Sequence, residues 1–100
     1  MQNNMAQRGK IGQAKHDHKV QQRLEHYKEE GYRVKADLPG RAKPQKIGGR
    51  VPDIVAKKGN EIIVEEIETK STLTSDKQQQ QQLCAGTEKL GGKFKIIIAK

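Results

Sequence analysis

The chain has 100 residues, room for one domain at roughly 150 residues per domain, and a formal net charge of +8 with only 32% hydrophobic residues. A domain of this size removes only about two thirds of its surface from water, so we expect marginal stability and self-association. The longest apolar stretches, 62–64 and 96–99, are too short to cross a membrane. A single cysteine excludes an internal disulfide. These features predict a cytoplasmic protein with a polyanionic partner, most commonly nucleic acid.

The first half of the chain contains the predicted arm, the first helix and a basic loop. Residues 1–15 lack periodicity and predict a flexible basic arm, and residues 16–100 are expected to form one domain. Apolar residues at helical spacing predict a helix over about 17–30. Alternating apolar and charged residues predict a strand at 32–38. An exposed loop at 38–50 follows, with proline, glycine and four cations: Arg41, Lys43, Lys46 and Arg50.

The second half predicts a hairpin, a helix and a last strand. Two β-branched segments, 51–57 and 61–70, flank a Gly-Asn turn and predict two antiparallel strands. Ser75 is expected to cap the next helix, because Gln78 follows at capping-box spacing. The apolar run 94–99 predicts a strand buried on both faces. Leu83 and Leu90 are expected on one face of the helix that Ser75 caps. The order helix-strand-strand-strand-helix-strand predicts an α/β domain with a central mixed sheet.

The hairpin collects carboxylates in an otherwise basic chain. If Gly59 and Asn60 form the turn, Asp53 lies directly opposite Glu66, and directly opposed residues share a face of the sheet. Alternation along the strand adds Glu68 and Lys70 to that face. Carboxylates this close repel one another, and a divalent cation such as Mg²⁺ or Mn²⁺ removes the repulsion. The pattern predicts metal-assisted phosphodiester hydrolysis, although a solvated acidic strand is the default for such sequences.

These residues resemble a known signature. Pro52-Asp53, followed after a short hairpin by Glu68-Thr69-Lys70, resembles the motif of the PD-(D/E)XK nuclease superfamily, which has the restriction-endonuclease-like fold. The predicted order of elements is also the core topology of that superfamily. The resemblance implies a divalent metal, a nuclease activity on DNA and a homodimer, and the small core agrees with self-association.

The hairpin at 51–66 most resembles the small archaeal Holliday-junction resolvases, and the resemblance covers residues 17–99. DNA, branched or duplex, is therefore the implied substrate. The resemblance also implies a carboxylate from the first helix and a polar residue from the helix after the motif. The candidates are Glu25, Glu29 or Glu30 for the first role and Lys77 or Gln78 for the second.

The signature fits this chain in two ways. One assigns Asp53, Glu68 and Lys70 and preserves the acid-x-lysine pattern. The other follows the hairpin register with Asp53 and Glu66, and Glu68 then stands where the lysine usually does. Both remain open from the sequence, so the candidate metal ligands are Asp53, Glu66 and Glu68, with Lys70 as a further catalytic candidate.

The loop at 38–50 runs directly into Asp53, and its cations are candidates for phosphate contacts. A competing hypothesis is a catalytically inactive nuclease-fold protein that binds DNA or RNA or serves in an assembly. A closed zinc site at His16, Asp17, His18 and His26 is disfavoured, because the spacing does not match and no cysteine supports it.

Overall fold

The computed structural model describes residues 10–100, and residues 1–9 of the predicted arm lie outside the described part. The elements are α1 (Lys10–Glu29), β1 (Arg33–Ala36), β2 (Ile54–Lys58), β3 (Glu61–Glu68), α2 (Lys70–Ser75), α3 (Lys77–Lys89) and β4 (Lys93–Ile98). The strands form one sheet in the order β1-β2-β3-β4. The pairs β1–β2 and β2–β3 are antiparallel, and β4 is parallel to β3. The predicted α/β class with a mixed sheet is confirmed.

The β2–β3 hairpin has the predicted register. Lys58 pairs with Glu61 and Ile54 pairs with Glu65. Gly59 has a φ of 59°, in the left-handed region that glycine adopts without steric cost, as a two-residue hairpin turn requires. This register places the residue before β2, Asp53, beside Glu66.

A hydrophobic cluster lies on each face of the sheet. On one face the core contacts join α1 to the strands through Val20, Leu24, Tyr27, Ile54, Ile63 and Ile67. On the other face they join α3 and the loop to the strands through Ile47, Val55, Val64 and Leu83. Side chains alternate along a strand, so Glu65 shares the α1 face with Ile63 and Ile67. Glu66 and Glu68 share the α3 face with Val64.

The first helix is longer than predicted. It begins at Lys10 rather than near residue 17, so residues 10–15 are helical rather than part of a flexible arm. The periodicity rule missed this part because it contains no regular apolar residues and has a glycine at position 12. The division of the chain into an arm and a domain at residue 16 stays a prediction. Within residues 10–100, no helix combines the length and apolar character needed to span a membrane.

The predicted second helix is two helices, and its predicted cap is wrong. Ser75 ends α2, and Asp76 stands between the helices as the N-cap of α3 without a side-chain capping hydrogen bond. A capping box instead begins α2, where Thr69 accepts from the Thr72 backbone N–H and the Thr72 side chain accepts from the Thr69 backbone N–H. The chain therefore leaves the extended conformation after Glu68, and Thr69 caps the helix that follows.

The last strand is at the sheet edge rather than buried on both faces. β4 follows β3 in the sheet order, and its Lys93, Lys95 and Ile96 side chains are exposed. Leu90 is the C-cap of α3 and is 46% exposed, so it does not share the buried position of Leu83. A continuous apolar run therefore identified the strand but overestimated its burial.

Candidate active site

Asp53 and Glu66 meet where β2 begins and β3 approaches its end. The Asp53 backbone N–H donates to Glu66 Oε1 at 3.2 Å, and the Ile67 backbone N–H donates to Asp53 Oδ2 at 2.8 Å. Pro52, which is fully buried, precedes this contact. The Glu66 side chain is buried, while the Asp53 side chain keeps 13% of its surface exposed. The two carboxyl groups therefore form an adjacent pair that solvent reaches from the Asp53 side.

The surroundings of the Glu66 carboxyl group favour its protonated form. Burial and, after it, the charge of Asp53 raise the pKa of Glu66 to about 9. Desolvation disfavours the charged form of a carboxyl group, and a like charge nearby adds to this effect. The pair thus retains a proton at the place where a divalent cation would also relieve the repulsion, and cation binding would release that proton.

Glu68 is fully buried on the same face and contacts the two following helices. Its Oε1 accepts from Thr72 Oγ1 at 2.6 Å, and its Oε2 accepts from Gln80 Nε2 at 3.0 Å. Burial raises the pKa of Glu68, and the hydrogen bonds from Thr72 and Gln80 oppose that increase. Glu68 is therefore held in one orientation by neutral donors rather than by a cation.

The helix after the hairpin supplies glutamines, although not the predicted residue. Gln79 Nε2 donates to Glu66 Oε2 at 2.5 Å, and Gln80 donates to Glu68. The predicted candidates Lys77 and Gln78 are exposed. The break between α2 and α3 at Asp76 determines which side of α3 faces β3. Without knowledge of this break, the α3 residues that contact Glu66 and Glu68 could not be predicted from the sequence.

The first helix presents a histidine to the pair rather than a carboxylate. His16 is buried, its Nε2 lies 3.2 Å from Asp53 Oδ2, and its Nδ1 lies 3.0 Å from Asp17 Oδ1. The expected candidates for this helix, Glu25, Glu29 and Glu30, are all exposed. Helical spacing could have found His16, because it precedes the core residue Val20 by one turn on the same face.

Lys70 does not share the strand face on which alternation predicted it. β3 ends at Glu68, Thr69 caps the next helix, and Lys70 is the exposed first residue of α2. The period-two rule holds only while the chain stays extended. The structure therefore brings together Asp53 and Glu66, holds Glu68 on their face of the sheet, and leaves Lys70 exposed on a helix.

The loop at 38–50 is only partly exposed, as Pro44 and Ile47 are buried, but its four cations are exposed and several of them contact neighbouring elements. Arg50 Nε donates to Gln82 Oε1 at 2.7 Å, Arg41 Nη2 donates to Gln21 Oε1 at 3.4 Å, and Lys43 Nζ lies 3.5 Å from Asp37 Oδ1. Lys46 is also exposed. At Gly48 an added Cβ would lie 2.1 Å from the Gln82 carbonyl oxygen, so only glycine allows the loop to approach α3 this closely.

The carboxylates suit a hard cation, but they are not gathered as a three-ligand cage. In the part of the chain from Lys10 onward, no group of three or more His, Cys, Asp or Glu residues is arranged to hold a metal ion. Mg²⁺ needs less than this, because one or two carboxylates with water and substrate oxygens complete its coordination. The adjacent Asp53–Glu66 pair, with one partly exposed member, therefore fits such an ion.

Two comparisons with known proteins bear on this arrangement. No curated protein in the comparison matches the chain. A family model described as AHJR-like, REase_AHJR-like, matches residues 10–100, which include the sheet, both carboxylates of the pair and the helices that contact them. The chain therefore belongs to the REase_AHJR-like family, a restriction endonuclease-like family of the PD-(D/E)XK type.

Proposed function

We propose that the protein is a metal-dependent endonuclease that hydrolyses DNA phosphodiester bonds, with Mg²⁺ or Mn²⁺ held by Asp53 and Glu66. The observation that carries the proposal is the adjacent pair of carboxyl groups in which burial raises the pKa of Glu66 to about 9. A pair with this pKa is electrostatically unfavourable when both members are ionised. Such pairs cluster at functional sites, where a ligand supplies the missing positive charge.

The roles of the chain's own groups follow from their exposure. Asp53 is partly exposed and is the ligand that solvent and substrate can reach. Glu66 is buried and lies next to Asp53. Gln79 keeps the Glu66 carboxyl group oriented, and the Ile67 backbone N–H does the same for Asp53. When bound, the metal ion would polarise a phosphoryl oxygen and lower the pKa of an attacking water.

The hairpin register supports the placement of the signature on Asp53, Glu66 and Glu68. Asp53 lies beside Glu66, and Glu68 then occupies the position of the lysine in the family motif. The alternative, in which Glu68 is the second ligand and Lys70 assists the attacking water, requires Lys70 to leave its exposed position on α2. We therefore propose Asp53 and Glu66 as first ligands, Glu68 as a third site carboxylate, and no required role for Lys70.

The basic loop is proposed to contact the phosphate backbone. Arg41, Lys43, Lys46 and Arg50 are exposed in the segment that leads into Asp53. We also propose that the protein is a homodimer and is located in the cytoplasm. The second candidate function is a nuclease-fold protein that binds nucleic acid without cleaving it, and the exposed position of Lys70 favours it.

The test is cleavage of branched, duplex and single-stranded DNA in Mn²⁺ by the wild-type protein and Asp53→Ala. We expect cleavage by wild type and a loss of at least about a hundredfold in the variant, because the partly exposed ligand is removed. Glu29→Ala, an exposed carboxylate on α1, is the matched control and should cleave like wild type. Equal cleavage by Asp53→Ala contradicts the proposed site, and binding without cleavage by wild type supports the second candidate.

A further inference from the structure

Three cations share the sheet face of the Asp53–Glu66 pair: Arg33, Lys35 and Lys57. Lys35 pairs with Val55, and Arg33 pairs with Lys57. Directly opposed residues share a face, and so do residues two apart on one strand. Val55 belongs to the hydrophobic cluster that includes Leu83 of α3, so all three cations lie on the α3 side of the sheet. Asp53 precedes β2 and contacts Glu66, which lies on that side of the sheet.

The β1 side of this sheet face is open to solvent. Arg33 and Lys35 are exposed on the edge strand β1, and Lys57 is half-buried on β2. A cavity of about 290 Å³ lies against them and is lined by Arg33, Val34, Lys35, Gln45, Val55 and Lys57. A ligand can therefore reach all three cations from one side of the molecule.

The arrangement of charge here is unfavourable without a ligand. Arg33 lies directly opposite Lys57, and like charges at directly opposed positions destabilise a sheet. Lys57 Nζ donates to the neutral amide of Gln45 at 2.8 Å. Within residues 10–100, none of the three cations forms an ion pair with a carboxylate. Positive charge on an edge strand prevents edge-to-edge pairing with another sheet, but this effect does not explain Lys57, which lies on the inner strand β2.

The three cations lie close enough to the Asp53–Glu66 pair for one DNA duplex to contact both. Four residues along β2 separate Lys57 from Asp53, which is about 13 Å at the usual rise of a strand. Over that length of axis, one strand of a DNA duplex presents about four phosphates. Val55 is buried with Ile47 of the loop, so a backbone positioned at Asp53 would pass the cations if it ran parallel to β2 along the exposed β1 edge.

We propose that Arg33, Lys35 and Lys57 bind the phosphate backbone of duplex DNA next to the phosphodiester bond held at Asp53 and Glu66. This phosphate-binding strand face is separate from the loop at 38–50. The inference rests on the proposed function for its choice of ligand. It concerns binding, so it can be tested whether or not the protein cleaves DNA.

The experiment measures binding of a fluorescent DNA duplex by anisotropy over a series of salt concentrations, in a buffer with a metal chelator to prevent cleavage. We expect Arg33→Gln/Lys35→Gln to weaken binding on the order of tenfold. The slope of log K against log salt should fall by about 2, because each lost phosphate contact removes about 0.9 from it. The charge-preserving Arg33→Lys/Lys35→Arg should bind like wild type.

The matched control is Lys93→Gln/Lys95→Gln. It removes two exposed cations from the other edge strand, on the α1 face, because Lys93 and Lys95 pair with Ile63 and Glu65. This variant should keep the wild-type slope. Thermal unfolding of every variant verifies that the fold is retained.

Each outcome decides between the inference and the proposed function. Loss of binding in Arg33→Gln/Lys35→Gln alone supports the inference even if the wild type cleaves nothing, in which case only the proposed nuclease activity fails. An unchanged slope in that variant overturns the inference and leaves the nuclease proposal intact. Equal weakening by the Lys93→Gln/Lys95→Gln control also overturns it.

Discussion

Glu65 and Glu66 are consecutive and buried on β3, yet they lie on opposite faces of the sheet in different electrostatic surroundings. Glu65 accepts from Arg23 Nε at 2.9 Å and from Arg23 Nη2 at 2.6 Å, and the Tyr27 hydroxyl also donates to it. Glu66 has the neutral donor Gln79 and the carboxylate of Asp53. The α1 face contains a completed ion pair, whereas on the α3 face burial and the charge of Asp53 favour the protonated form of Glu66.

The difference separates a structural role from a binding role for the same residue type. Contact with Glu65, opposed by burial, raises the pKa of the Arg23 guanidinium, and burial raises the pKa of the Tyr27 hydroxyl. A charge this well paired has no further need of a ligand. The acidic strand β3 therefore contains a glutamate with a structural role, Glu65, and one with a proposed binding role, Glu66. Only their contacts distinguish the two.

The largest expected effect is on stability when Glu65 loses its partner. Arg23→Met keeps the aliphatic volume but leaves a buried carboxylate unpaired, so the free energy of unfolding should fall by about 3 kcal/mol. Gln79→Met is the matched change on the other face and should cost about 1 kcal/mol, because Glu66 is protonated and loses one hydrogen bond. Urea unfolding at neutral pH measures both, and equal losses would contradict the difference between the faces.

A cation should stabilise the protein through the α3 face alone. With Mn²⁺ at a hundred times its Kd, the free energy of unfolding should rise by about 2.7 kcal/mol, and a chelator should reverse the change. Asp53→Asn should abolish the increase, whereas Arg23→Met should retain it because Glu65 is not involved. Thermal unfolding with and without Mn²⁺ measures the shift. An undiminished shift in Asp53→Asn would place the ion elsewhere.

The pH dependence of stability should differ between the faces. The folded-state pKa of Glu66, about 9, lies above its ordinary value of 4.5, so its favourable contribution is complete below pH 4.5 and is lost as pH rises towards 9. Without metal, Glu66→Gln should therefore be more stable than wild type near pH 8, by a margin that grows as pH rises from about 5. Glu65→Gln should instead be less stable, because Arg23 loses its partner.

Denaturant unfolding at several pH values measures these differences. A Glu66→Gln variant that follows the wild-type pH profile would show that Glu66 is not the group that holds the proton.

The smallest expected effect belongs to Lys70. Lys70→Ala removes an exposed side chain at the start of α2, so the free energy of unfolding should change by less than about 0.5 kcal/mol. DNA cleavage should stay within a few fold of wild type if Glu68 stands in the lysine position. A loss as large as that of Asp53→Ala would restore the placement on Asp53, Glu68 and Lys70.

Local sequence rules predicted the hairpin and its register but failed where the chain changes direction. Gly59 determines the turn, and the pairing of Lys58 with Glu61 then brings Asp53 beside Glu66. The same alternation failed at Lys70 because a capping box at Thr69 starts a helix there. The Thr69 and Thr72 side chains contain the information for that cap, but a Ser75 cap had equal support from spacing.

The sequence by itself determined the order of elements, the hairpin register and the gathering of carboxylates in a basic chain, because these depend on residues close along the chain. Only the tertiary structure decided which carboxylates are paired. Arg23 reaches Glu65 across 42 positions, and His16 approaches Asp53 from the first helix. These partners depend on how α1 packs against the sheet, and a buried charge is stabilised or left unfavourable by whatever group that packing brings to it.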